Sequence, residues 1–328
     1  MTYKKILSEF KKKKILVIGD LILDRYIWGK VTRISPEAPV PIVEVTKEDF
    51  LLGGASNVAN NIVALGGQAT IVGVAGNDRA GKILLKILVE RGIKCGISWG
   101  LRPTTVKTRV IAHNQQVVRF DREDRNKVGG KILKGLLGYV RGAVPAHDAV
   151  IISDYKKGVV SAELIEEVLK YSKPEKIFVS VDPKGGHFHY YKNVSLITPN
   201  VMEASIASGI EVKDDKSLIN AGKSLLEKIS CDAVLITRGE YGMSLFEKDK
   251  VAHIPTVARN VYDVTGAGDT VIAAFAIAQA AGANLEQAAV IANHAAGIVV
   301  GEVGTAVATL GQLRMSLRLN RVKLTQYG

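Results

Sequence analysis

The chain is poor in the features that mark several protein classes. Among its 328 residues there are two cysteines, Cys95 and Cys231. They lie far apart and without metal-ligand spacing, which excludes a disulfide scaffold and a thiolate metal site and leaves reduced thiols as the expectation. No apolar run approaches the roughly 18 residues of a membrane span, so no transmembrane segment is expected. The N-terminal stretch MTYKKILSEFKKKKILVIGD is basic but lacks the apolar centre and small-residue cleavage site of a secretory signal, and the expected location is the cytoplasm. Aromatic residues make up 6% of the chain and are not interleaved with basic ones, so neither nucleic acid nor membrane is the expected partner. Acidic residues are outnumbered, 32 against 44 Lys and Arg, and the net charge of +12 favours small anionic ligands such as phosphorylated metabolites.

Complete nucleotide motifs are missing too. Gly76 to Lys82 has the glycine spacing of a phosphate loop, but Ile83 replaces the hydroxyl residue that would meet magnesium. Gly222-Lys223-Ser224 has the other half of that motif, with Ser217 where the first glycine belongs. Gly266 and Gly268 are not followed by a third glycine at Val271, which excludes the dinucleotide fingerprint. His187 and His189 have no third ligand nearby and read as loop histidines.

What is present is a strand–helix alternation. Lys14–Asp20 is a continuous apolar run with a polar end, the pattern of a buried parallel strand. Strands are expected at 69–75, 149–154, 177–182, 195–198 and 233–238, with helices at 3–12, 55–65, 80–91, 127–141, 161–171, 200–208, 215–229, 266–281 and 285–299. This rhythm predicts an α/β fold, one domain over 1–328, with a mostly parallel sheet covered on both faces. Segments at about 31–50 and 104–122 alternate instead. They predict a small β-sheet set apart as a lid, whose exposed face would pair in a homodimer.

Asp263 to Thr270 (DVTGAGDT) stands directly before the alanine-rich helix. Gly266, Ala267 and Gly268 fall in its first turn, where unpaired N–H groups and the dipole make an anion site. Asp269 fits two roles there: an ordinary first-turn acid, or a base that takes a proton from a hydroxyl while the amides hold the attacked phosphoryl group. Asp20 and Asp24, near a strand end, are candidates to bind sugar hydroxyls, against plain turn and surface aspartates. Asn200 and Glu203 match a capping box or a carboxylate and an amide around the water shell of a phosphate-bound magnesium. Thr237, Gly239 and Gly242 offer a hydroxyl and a glycine loop to a nucleotide phosphate.

In chain order, GGASN (53–57), NxxE (200–203), TRGEYG (237–242) and DVTGAGDT (263–270) resemble the ribokinase-like (PfkB) carbohydrate kinases over nearly the whole chain. The segments GDLILDRYIWG, RISPEAPVPIVEV, NQQVVRFDRE, SDYKKGV, VDPKG and ANHAAGIVVGEVGT resemble one branch, the D-glycero-β-D-manno-heptose-7-phosphate kinases. The resemblance implies a three-layer α/β/α sandwich, ATP and Mg²⁺, and a phosphosugar substrate phosphorylated on its anomeric hydroxyl in ADP-heptose and lipopolysaccharide synthesis. It implies Asp269 as base with Gly266 to Gly268 as anion hole, and Asn200 and Glu203 on the magnesium–phosphate network. It also implies Thr237, Gly239 and Gly242 on the nucleotide phosphates and Asn293 near adenine. Asp20, Gly53, Gly54 and Asn57 would hold the sugar, beside the candidate Asp24, with Arg119, Lys156 and Lys157 on its phosphate. The HxGH motif of a nucleotidyltransferase domain does not occur, so a kinase alone is expected. A kinase of another phosphosugar, such as fructose 1-phosphate or tagatose 6-phosphate, and a silent sugar-phosphate sensor are the alternatives.

Overall fold

The computed structural model describes residues 1–113, 115–258, 261–302, 306–319 and 325–327. Asn114, expected in a hairpin turn, and Val303 to Thr305 of the last branch segment lie outside the described residues. The strands are β1 (Lys14–Gly19), β2 (Leu21–Ile34), β3 (Pro41–Gly54), β4 (Gln68–Gly76), β5 (Lys94–Gly100), β6 (Thr105–Ala112) and β7 (Gln115–Arg122). They continue with β8 (Ala149–Ser153), β9 (Phe178–Asp182), β10 (Leu196–Ile197), β11 (Ala233–Thr237), β12 (Met243–Glu247), β13 (Lys250–Ile254) and β14 (Thr325–Tyr327). The helices are α1 (Tyr3–Glu9), α2 (Ala55–Ala64), α3 (Arg79–Glu90), α4 (Gly130–Ala143) and α5 (Ala162–Ser172). After them come α6 (Val201–Ser208), α7 (Asp215–Ile229), α8 (Ala267–Ala280), α9 (Leu285–Val299) and α10 (Leu310–Leu319).

Ten strands form the central sheet in the order β14-β13-β12-β11-β10-β9-β8-β1-β4-β5. It is parallel from β11 through β5, and β12 to β14 close its other edge antiparallel. Side chains of a strand alternate between faces, and β1 shows the consequence. Ile15 and Val17 pack with α1, α2, α3, α8, α9 and α10 on one side, while Leu16 and Ile18 pack with α4 to α7 on the other. Burial on both faces explains why these strands read as unbroken apolar runs rather than alternation. The result is the expected α/β/α sandwich.

The second sheet has the order β3-β2-β6-β7, with β2 and β6 parallel and the outer pairs antiparallel. Its first strand begins at Leu21, ten residues before the segment expected from alternation. The reason is local: Leu21, Ile22 and Leu23 are all buried beside the central core, so the inner end of β2 carries no alternating signal. Asp20 alone separates β1 from β2, which makes it the joint between the two sheets. Strand β5, the β12–β14 edge and α10 were not anticipated.

Both phosphate-loop look-alikes are structural. Asp78 caps α3 by accepting from the Gly81 N–H at 2.8 Å and the Thr104 hydroxyl at 2.8 Å, and Gly222 to Ser224 lie inside α7. No helix among the described residues is long and apolar enough to cross a membrane.

Candidate functional site

A cavity of about 770 Å³ opens beyond the C-terminal ends of β8 to β11, where ligands of parallel α/β sheets collect. The start of α8 forms its floor. Gly266 adopts a left-handed φ of +80°, a conformation glycine takes without Cβ strain. From there the Thr270 N–H returns to the Gly266 carbonyl at 3.0 Å, and the Ala267 N–H is held by the Val264 carbonyl at 3.2 Å. Of the three expected anion-hole residues, Ala267 therefore spends its amide internally. The N–H groups that a first helical turn leaves for a ligand are those of Gly268 and Asp269. A Cβ added to Gly268 would meet nothing within 4 Å, consistent with its position against the cavity.

Asp269 is buried, 3% exposed. Its Oδ2 accepts from the Asn57 amide at 2.8 Å and its Oδ1 from the Tyr155 hydroxyl at 2.8 Å. Burial pushes its proton affinity up to a pKa of about 6, against the pull of those two hydrogen bonds, with Asp24 adding to the rise and Lys184 opposing it. Asn57 is in turn aligned by its helix neighbour. The Asn61 side-chain amide donates to the Asn57 backbone carbonyl at 3.0 Å and to Asn57 Oδ1 at 3.4 Å, and the Thr270 hydroxyl donates to Asn61 Oδ1 at 2.9 Å. Asn57 therefore faces the base and does not cap its helix; Gly54, at φ +54°, is the residue that turns the chain from β3 into α2.

The expected sugar-binding residues divide. Asp24 reaches the site from the lid strand β2 and forms an ion pair with Arg109 at 2.5 Å, both side chains largely buried. A Cβ on Gly53 would fall 2.2 Å from Asp24 Oδ2, so Gly53 is the space that this carboxylate occupies. The Asp20 carboxylate accepts from the Tyr155, Lys157 and Val159 N–H groups at 2.8, 3.0 and 3.2 Å, and the residue is 1% exposed. Three amides on one buried carboxylate fix the 154–159 loop and leave it about one further acceptor site for a sugar hydroxyl.

The cations divide as well. Lys157 pairs with Glu123 at 2.6 Å. Arg119 is exposed on β7 and paired with Asp121. The ammonium of Lys156, at a left-handed φ of +55°, approaches Gly186, and none of Lys107, Arg119, Lys156 and Lys157 is among the residues lining the cavity. Two cations were missed. Lys107 and Arg109 share a lid face with Asp24, Arg119 and Asp121, because Asp24 lies opposite Lys107, which lies opposite Asp121, and Arg109 lies opposite Arg119. Lys107 has no ion-pair partner among the described residues, and burial holds its ammonium below the usual lysine range. Its signal was the period-two run of Thr105–Ala112, which sets Lys107 and Arg109 on one face.

At the far end of the cavity stand Thr237, Gly239 (φ +59°) and Gly242 (φ +83°). A Cβ on Gly242 would fall 2.1 Å from the Ile254 carbonyl oxygen. Asn293 lines the same end and donates to the Pro255 carbonyl at 2.7 Å. Asn200 and Glu203 form the reciprocal capping box of α6 at 2.9 and 3.0 Å. They also line the cavity, and the Lys184 ammonium donates to Glu203 Oε1 at 2.8 Å. Asp182 at the end of β9, likewise missed, is pushed up to about 8, chiefly by burial, although nearby Lys184 lowers it. No group of three His, Cys, Asp or Glu side chains converges as a metal site among the described residues.

The profile of the pfkB family carbohydrate kinases matches residues 12–310. The bifunctional protein HldE of Geobacter sulfurreducens is 47% identical over 305 residues, covering 92% of this chain and 62% of that protein. HldE of Helicobacter hepaticus is 44% identical over 321 residues, 97% of this chain and 67% of that one. The chain thus spans about three fifths to two thirds of the length of these curated relatives. Among solved structures, phosphofructokinase-2 of Escherichia coli in complex with fructose-6-phosphate superposes with a TM-score of 0.77 at 18% identity, covering 94% of this chain and 99% of that one. Arabidopsis thaliana ribokinase complexed with ribose and ATP gives 0.74 at 20%, with the same coverages. With a cavity at the strand ends, an acid at the start of α8 and this match across most of its length, the chain belongs to the pfkB family of carbohydrate kinases.

Proposed function

We propose that the chain transfers the γ-phosphoryl group of ATP to the anomeric hydroxyl of D-glycero-D-manno-heptose 7-phosphate, a cytoplasmic step toward ADP-heptose and lipopolysaccharide core. The observation that carries this reading is the buried Asp269 carboxylate, aligned by two donors at the mouth of a helix and facing a cavity with polar ends. The HldE relatives and the branch-specific segments support the heptose substrate. In this reading Asp269 takes the hydroxyl proton as the sugar oxygen forms its bond to γ-phosphorus and the bond to the ADP oxygen breaks. The Gly268 and Asp269 amides hold the charge on the transferring group, and the fixed geometry supplies most of the rate.

Asp24, held by Arg109, and Asn57 orient the sugar. Lys107, Arg119 and Lys157 gather around its phosphate, which gives the unpaired Lys107 a counter-charge. Thr237, Gly239 and Gly242 meet the nucleotide phosphates and Asn293 lies toward adenine. Mg²⁺ on those phosphates would supply charge neutralisation, with its waters held by Glu203 and Asn200; a carboxylate already in a capping box and an ion pair suits an outer-shell role. The exposed lid face pairs two copies in a homodimer.

The test is ATP consumption by purified protein with heptose 7-phosphate, fructose 1-phosphate and tagatose 6-phosphate. Heptose 7-phosphate should give the highest kcat/KM by at least tenfold. A hexose phosphate in first place would move the substrate, and no consumption with any of the three would leave the silent sensor.

A further inference from the structure

Tyr155 is the one aromatic side chain among the described residues bonded to the Asp269 carboxylate, and it is held from several directions. Its N–H is anchored on Asp20 at 2.8 Å, and its hydroxyl donates to Asp269 Oδ1 at 2.8 Å. The ammonium of Lys107, from the lid, lies 5.0 Å from its ring centroid, and that of Lys184, from the loop after β9, lies 5.4 Å away. Cations over an aromatic face are attracted to it. They also draw electron density from the ring, which favours the phenol as donor. Burial and the neighbouring carboxylates push the phenol itself well above its ordinary range, so it stays protonated and has only a donor to offer Asp269.

We propose that Tyr155 is a positioning residue of the kinase: its phenol holds the Asp269 carboxylate in one rotamer and in its ionised form, with Oδ1 and Oδ2 separately assigned to phenol and amide. This rests on the reading of Asp269 as the base. The groups facing Asp269 divide by sign. Tyr155 and Asn57 donate to it, Lys184 favours its charge, and Asp24 from the lid and Asp182 at the end of β9 oppose it; Glu203 faces Asp182 and Lys184 from α6. Tyr155 and Asn57 are the uncharged members of this set, and Tyr155→Phe alters no formal charge and leaves the Asn57 donor in place.

The experiment is the pH profile of kcat/KM for wild type, Tyr155→Phe, and protein with 3-fluorotyrosine placed at position 155 alone. Removing a donor to a carboxylate raises its proton affinity, so the acid limb of Tyr155→Phe should move up by about one pH unit. Fluorination makes the phenol a stronger donor, so that limb should move down. The KM for ATP should stay within about twofold in both, since the nucleotide end is untouched. A purely structural role would not move the limb in opposite directions, and the fluorinated protein keeps the test open if Tyr155→Phe does not fold. Limbs that coincide, or that move together, overturn the proposal. An Asp269→Asn protein with normal turnover overturns instead the assignment of the base on which it rests.

Discussion

The central sheet keeps its charges at its rim, whereas the lid sheet carries them across its middle. In β1, β8 and β11 the strand interiors are buried and apolar; Ser153 and Thr237 end β8 and β11, and Asp20 follows the last residue of β1. In the lid, Asp24, Lys107, Arg109, Arg119 and Asp121 share one face, and every residue of β7 is exposed. The difference assigns separate duties. A sheet buried on both faces supplies the apolar burial that dominates stability, and it can lend chemistry only at its ends. The outer strand of the lid buries little and can hold charges in register, and in the proposed reaction ordering them around a ligand is its contribution. The proposed base sits on the seam, bonded to body residues and electrostatically coupled to Asp24 of the lid.

The largest expected effect strikes the seam alone. Asp269→Asn should lower turnover by about 10²–10⁴ while nucleotide binding, read by titration calorimetry, is retained. Next comes the converse in the body. Phe246 is fully buried, and Phe246→Ala should cost about 3–5 kcal/mol of stability in denaturant unfolding. Turnover per folded molecule should stay unchanged. A Phe246→Ala protein that lost its activity but not its stability would erase the division of duties.

How much of this was legible in the sequence follows from the range of each interaction. The DVTGAGDT segment could be read because glycine freedom, helix start and anion site are local properties of eight residues. The central strands could be read because burial on both faces leaves unbroken apolar runs. Asn57 and Tyr155 meet Asp269 across separations of 212 and 114 residues, and periodicity carries no sign of such pairings. Tyr155 stood in a segment noticed only for resemblance, and Asp182 was read only as the end of an expected strand. The amide bonds of Asp20 were not legible because a strand-end aspartate looks the same whether or not it also meets three amides of a neighbouring loop. Strands β12 and β13 were passed over because TRGEYG drew attention to its glycines, which also shape the turn into β12.

A pH series sharpens the comparison further. In the proposed mechanism the base Asp269 must be ionised, so kcat/KM should fall about tenfold per unit below pH 6. Stability contributed by the site runs the other way. Asp182 folds with its proton affinity raised from 3.8 to about 8, so between those values the native state binds more protons than the unfolded one. Its contribution is fully present below pH 4 and is lost as pH rises through 8. Asp182→Asn should therefore lose less stability than wild type between pH 5 and pH 8, measured by urea midpoints.

The lid should respond in binding rather than in folding. Lys107→Met removes a half-buried cation with no ion-pair partner among the described residues, so the melting temperature should hold or rise slightly. If Lys107 meets the sugar phosphate, KM for that substrate should increase by roughly 10–100-fold, the range of a lost charge-assisted hydrogen bond. The smallest change in stability is expected at Phe120, which lies opposite Thr108 on the other lid face and is 53% exposed. An exposed aromatic on a strand far from the core adds little to the monomer, so Phe120→Ser should alter unfolding by no more than about 0.5 kcal/mol. If that face joins two copies, the same change should shift the gel-filtration mass from dimer to monomer. A mass that is unchanged, with wild type already eluting as a monomer, would free the lid's outer face from any role in pairing and leave only its charged face with a function.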